Sequence, residues 1–84
     1  MINTYELTFF ARCPVDDQKI RYQIAIEVED DKVWVEDIQE SLAETEEWTT
    51  QEDLCAHLKA RFHEQHAKVT IVGTHSGIKI TSVA

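Results

Sequence analysis

The chain has 84 residues, 43% of them hydrophobic and 29% charged, which fits one soluble globular domain spanning residues 1–84. The formal net charge is −8, and phosphate contacts need Lys and Arg, so nucleic acid is a disfavoured partner. There is no apolar run of the ~20 residues that a membrane span needs. The first residues lack a positive n-region, so no signal peptide is read and no membrane partner is expected. Two cysteines make no disulfide framework; Cys13 and Cys55 are expected as thiols in a cytoplasmic protein.

Residues 4–13, "TYELTFFARC", alternate: Tyr5, Leu7, Phe9, Ala11 and Cys13 share one face. Residues 19–28, "KIRYQIAIEV", alternate more cleanly, with Ile20, Tyr22, Ile24, Ile26 and Val28 together. Both read as strands half-buried on one side. "PVDDQ" between them supplies turn residues, so a β-hairpin is predicted.

The middle of the chain carries the acid. From Glu27 to Asp53 there are 12 acids and one base, Lys32, whereas the rest holds 4 acids and 7 bases. Such a face usually serves solubility, and less often a basic protein partner. Val33–Glu36 reads as strand or helix. The spacing of Val35, Ile38 and Leu42 favours a helix over about 36–45. Next, Thr49 or Thr50 can cap a second helix, with Glu52 three residues after Thr49 as in a capping box. Leu54, Leu58 and Phe62 form its apolar stripe, and the helix is predicted from Thr50 to about His66. The tail alternates again around "GTHSG", giving a second hairpin. The predicted order is ββααββ: an α+β fold with two hairpins in one antiparallel sheet packed against two helices. A chain this short has a marginal core, and its hairpin edges invite pairing with copies of itself.

"FFARCPVDDQKIRYQIAIEV" resembles the first hairpin of the 7-cyano-7-deazaguanine nitrile reductases of the tunnelling-fold superfamily. Their loop reads Cys-Pro-x-Thr-Gly-Gln-Pro-Asp, and Cys13, Pro14 and Gln18 fall at matching places. "QEDLCAHLKARF" is similar to their His-Glu-Asp-Cys stretch, and "KVTIVGTHSGIKIT" resembles their late hairpin. The resemblance implies the tunnelling fold, Cys13 as the nucleophile and Glu52 as the acid that holds a purine-like ring. The chain also departs from that pattern. Ile20 stands where the proton-handling aspartate is implied, and Asp16-Asp17 replace Thr-Gly. "EDIQESL" lacks the lysines of the stretch that binds the dinucleotide. No cofactor is expected, since carboxylates repel an anionic dinucleotide.

A nucleophilic Cys13 needs a cation or helix N-terminus nearby, and Arg12 points to the other face of its strand. The bland reading is a small apolar residue ending a strand. His63 and His66 lie one helical turn apart but match no known ligand spacing, so no metal site is assigned. Asp53 and His57 have the i, i+4 spacing of an oriented base. His75 is read as a turn residue. Trp34 and Trp48 flank the acidic helix, and tryptophan is enriched at protein contacts. The leading expectation is a small acidic homo-oligomeric binding module without catalysis, engaging a protein through Trp34 and Trp48. The alternative is a reduced tunnelling-fold protein holding a purine- or pterin-like heterocycle between subunits, with Glu52 and Cys13 at the ring.

Overall fold

The computed structural model describes all 84 residues. The elements are β1 (Ile2–Arg12), β2 (Lys19–Glu29), α1 (Val35–Ala43), α2 (Gln51–Arg61), a 3-10 turn (His63–Gln65), β3 (Lys68–His75) and β4 (Ile78–Val83). The strands form one antiparallel sheet in the order β1-β2-β3-β4. This is the predicted ββααββ order, with both hairpins where alternation places them.

Alternation becomes packing in β2. Ile20, Tyr22, Ile24, Ile26 and Val28 are buried, and the intervening residues are open or half-open. Each faces the helices, because successive strand side chains point to opposite faces. Opposite them lie Leu54, Leu58 and Phe62, all at most 1% exposed, as the stripe predicts. Burying each such side chain contributes roughly 1.5–3 kcal/mol. The two helices are joined through the fully buried Ser41 of α1. Its carbonyl and hydroxyl meet Nε2 of His57 in α2 at 2.9 and 3.1 Å.

Two boundaries differ from the sequence reading. Residues 31–34 are neither strand nor helix, and α1 begins at Val35. The second helix ends at Arg61 rather than near His66. Phe62 is buried at the C-cap, and His66 closes the following turn in the left-handed region, φ 54°. The cap falls one residue later than the capping box requires: Thr50 is N-cap, its hydroxyl accepting from the Asp53 N–H at 3.1 Å. Glu52 is thereby released from capping.

The second hairpin turns through Ser76 and Gly77, φ 52° and 79°. These are the two positive φ values of a type I′ turn. His75 is not a turn residue; it ends β3, paired with Ile78. At the other edge, Glu47–Thr49 runs along the end of β1. Arg12 N–H donates to the Glu47 carbonyl at 2.8 Å, and Thr49 N–H to the Arg12 carbonyl at 3.1 Å. No helix is long and apolar enough to cross a membrane.

Candidate functional site

The loop from Cys13 to Gln18 is more than a turn. Cys13 N–H donates to the Gln18 carbonyl and Asp17 N–H to the Cys13 carbonyl, both at 2.9 Å. Inside this ring the Asp16 carboxylate accepts from the Gln18 N–H at 3.1 Å. Arg12 is committed elsewhere, to Asp17 at 3.2 Å and Glu47 at 3.3 Å, so it supplies no cation to the thiol. The loop fixes two groups: a nearly buried Cys13 thiol and an exposed Asp16 carboxylate.

The sheet register brings a third. Tyr22 pairs with Gly73, which places His75 two residues further, level with the loop. Its Nε2 stands 3.2 Å from an Asp16 carboxylate oxygen. Donor atoms of Cys13, Asp16 and His75 all lie within 4.8 Å of one another. The Asp16 carboxyl is held below its ordinary value, first by the Gln18 N–H against the opposing desolvation, with smaller help from Cys13 and His75.

The first turn of α2 supplies the opposite wall. Gln51 is buried, and its amide nitrogen faces the Ile71 and Ile80 carbonyls and the Ser82 hydroxyl, each at 3.0 Å. One side chain thus ties the helix start to β3 and β4. The next residue, Glu52, is exposed and makes no hydrogen bond or ion pair. Gly73 lets these walls approach: a Cβ there would sit 2.8 Å from the Tyr22 ring and 2.9 Å from Gln51 Oε1.

Together these residues enclose an open cleft of about 200 Å³, lined by Cys13, Ile20, Tyr22, Glu52, His75 and Ile80 among others. Tyr22 has its pKa raised, first by burial and then by Cys13 and Glu52. Its hydroxyl therefore senses both sides of the cleft. The lining joins a thiol, an imidazole and the Glu52 carboxylate to apolar walls.

No family model matches this sequence, and no curated protein matches it by sequence. Structure does find relatives. The archaeosine synthase QueF-Like, in its apo crystal structure, superposes with a TM-score of 0.79. The match covers 99% of this chain and 90% of that one, at 14% sequence identity. The protein has the tunnelling fold.

Within this tunnelling fold, the structure brings together some of the sequence candidates and separates others. Cys13 and Glu52 line the same cleft. Ile20 lines it as well, as apolar wall, and brings no carboxylate. Asp16 sets one beside the thiol from four residues earlier. His75 and Asp16 were missed as a pair because they are 59 residues apart and only the register joins them. The signal available was Gly73 opposite Tyr22, a close approach of strand and ring.

His57 is turned to Ser41, so its i, i+4 relation to Asp53 forms no base dyad. His63 and His66 are exposed, with ring centroids 6.5 Å apart, and gather no third ligand. Trp34 and Trp48 are 60% and 46% exposed. They sit near opposite ends of β1. Trp34 follows Val33, whose N–H bonds to the Tyr5 hydroxyl, and Trp48 is bridged to Arg12. Each ring carries a cation of its own, Lys32 at 4.8 Å and Arg12 at 5.7 Å from the centroid.

Proposed function

We propose that this protein binds a small planar nitrogen heterocycle of the purine or pterin class in the Cys13–Glu52–His75 cleft. The observation that carries the reading is the Glu52 carboxylate, free of any partner and facing the same cleft as Cys13 and His75. A carboxylate accepts two parallel N–H donors, as an amidine-like ring edge presents them. Tyr22, Ile20 and Ile80 offer the ring apolar walls. A cleft of about 200 Å³ is below the 300–1,000 Å³ of drug-sized sites. It suits one fused ring rather than a dinucleotide, in keeping with the missing lysines.

The cleft borders β4, an edge strand whose outer backbone groups have no neighbour in the sheet. A second copy pairing there adds the missing wall, so the binding unit is a homo-oligomer with its ligand at the subunit boundary. The solved neighbour is an archaeosine synthase. Binding alone is proposed for this chain; no cofactor enters the reading.

A second reading has the exposed Trp34 and Trp48 and the acidic helix engaging a basic protein. It ranks below the cleft because the two rings are apart and each is already covered on one face by a cation.

Calorimetric titration with guanine-type, adenine-type and pterin bases tests the proposal. At least one class is expected to bind, and Glu52→Gln to weaken it about 10–100-fold, the value of charge-assisted hydrogen bonds. Glu40→Gln, on the acidic helix, is expected to bind as the parent does. Silence from all three classes, or equal binding by Glu52→Gln, overturns it.

A further inference from the structure

The cleft has a second chemistry at its loop end. Cys13, Asp16 and His75 offer a sulfur, a carboxylate oxygen and an imidazole nitrogen that all fall within 4.8 Å of one another. We propose that these three side chains form a transition-metal site of the Zn²⁺ class, with its fourth position open to the cleft.

The distances carry the argument. Zinc binds thiolate sulfur at about 2.3 Å and imidazole or carboxylate at about 2.0–2.2 Å, tetrahedrally. Two ligand atoms on such a tetrahedron are then about 3.3–3.6 Å apart. His75 Nε2 and Asp16 Oδ2 already stand 3.2 Å apart, at the edge length of that figure. The sulfur needs to close by no more than about 1–1.5 Å on the other two, within reach of a small side-chain rotation.

The donor set selects the metal. One thiolate and one imidazole against a single carboxylate favour Zn²⁺ and its Co²⁺ and Cd²⁺ surrogates over Mg²⁺ or Ca²⁺, which want several oxygens. Two ligands come from one hydrogen-bonded loop, and Asp16 is further held by the Gln18 N–H. That hydrogen bond is the kind of outer-shell contact that orients a ligating carboxylate. The third ligand is the last residue of β3, just before a tight turn. Three protein ligands with an open side is the arrangement that leaves room for water or a ligand atom. Binding forms the sulfur–metal bond as Cys13 releases its proton to solvent; the Asp16 carboxylate and an unprotonated His75 ring nitrogen supply the other two ligand atoms.

In the sequence the closely spaced histidines, His63 and His66, lie on one helical turn and match no known ligand spacing. The structure assembles three different residue types from two distant hairpins. The site shares a wall with Glu52 but does not need the heterocycle, and its test is free of one.

Co²⁺ titration of the full chain, without any base present, tests it. The expected result is one cobalt per chain, with the strong visible bands of tetrahedral cobalt and a near-ultraviolet thiolate-to-cobalt charge-transfer band. Zn²⁺ should displace the cobalt and raise the melting temperature. Cys13→Ser should abolish the charge-transfer band. His75→Gln and Asp16→Asn should each weaken binding by more than the ~100-fold upper range of outer-shell changes. Cys55→Ala and the double variant His63→Gln/His66→Gln should leave the spectrum unchanged, and circular dichroism checks that every variant folds. An octahedral spectrum without the thiolate band overturns the proposal. So does a spectrum that survives in Cys13→Ser or disappears in the His63/His66 variant.

Discussion

The two cysteines make an instructive pair. Both are free thiols and both count as buried, at 9% exposure for Cys13 and 4% for Cys55. Cys55 sits on the buried face of α2 beside Leu54 and Leu58, and its sulfur meets only the Val69 carbonyl of β3, at 3.9 Å. Burial pushes that thiol's pKa up, with Lys59 opposing weakly. Cys13 ends a strand at the mouth of a cleft, beside a carboxylate and an imidazole. Similar burial therefore says little about chemistry. What the sulfur can reach, and what can reach the sulfur, separates a packing residue from a site residue.

The largest effect expected from this contrast is kinetic. A small alkylating reagent at pH 8 should modify Cys13 at least ~100-fold faster than Cys55, whose exposure requires local opening of the core. Mass spectrometry of the native protein over time gives both rates. Comparable rates would erase the distinction between the two environments.

A smaller effect follows at the wall between them. Gly73→Ala pushes a methyl into the Tyr22 ring and the Gln51 amide. Overpacking of this kind costs about 1–3 kcal/mol, read as a shift in the denaturant midpoint. Because Gln51 anchors the start of α2, the same substitution should displace Glu52 and weaken heterocycle binding. An unchanged midpoint would mean that strand and helix are not in close approach there.

The smallest effect is a pH dependence. Cys55 has a raised pKa in the folded state, so the folded protein holds that proton more tightly than the unfolded chain. The associated stability is complete below about pH 9 and is lost as pH rises through the folded value. Tyr22, also raised, acts the same way from about pH 10 upward. Cys55→Ala should flatten the decline that begins above about pH 9. Equal declines in parent and variant would show that Cys55 is not the group responsible.

The sequence carried the scaffold well and the site only in part. Period-two alternation marked four strands because β2 and β3 bury one face and β1 and β4 half-bury theirs, and Leu54, Leu58 and Phe62 marked a helix for the same reason. Cys13 and Glu52 were visible through a resemblance in short motifs. The resemblance also put both at one ring between subunits; their meeting within one chain depends on the Tyr22–Gly73 register and on Gln51 bonding across to β3 and β4. Thr49 and Thr50 are chemically alike, so residue type does not choose the cap; the backbone does, and that one-residue difference frees Glu52. His75 read as a turn residue because it adjoins Ser76-Gly77. Only the paired strand shows that the turn begins after it. The tryptophans were placed together by their position around an acidic helix, whereas the chain attaches them near opposite ends of β1.

The most direct test is a backbone amide NMR titration of the protein with the best-binding heterocycle. The account predicts shifts confined to residues 13–18, Tyr22, Thr50–Asp53 and His75, the segments that meet at the cleft. Shifts centred on Trp34, Trp48 and α1 instead, with the cleft residues still, would contradict it.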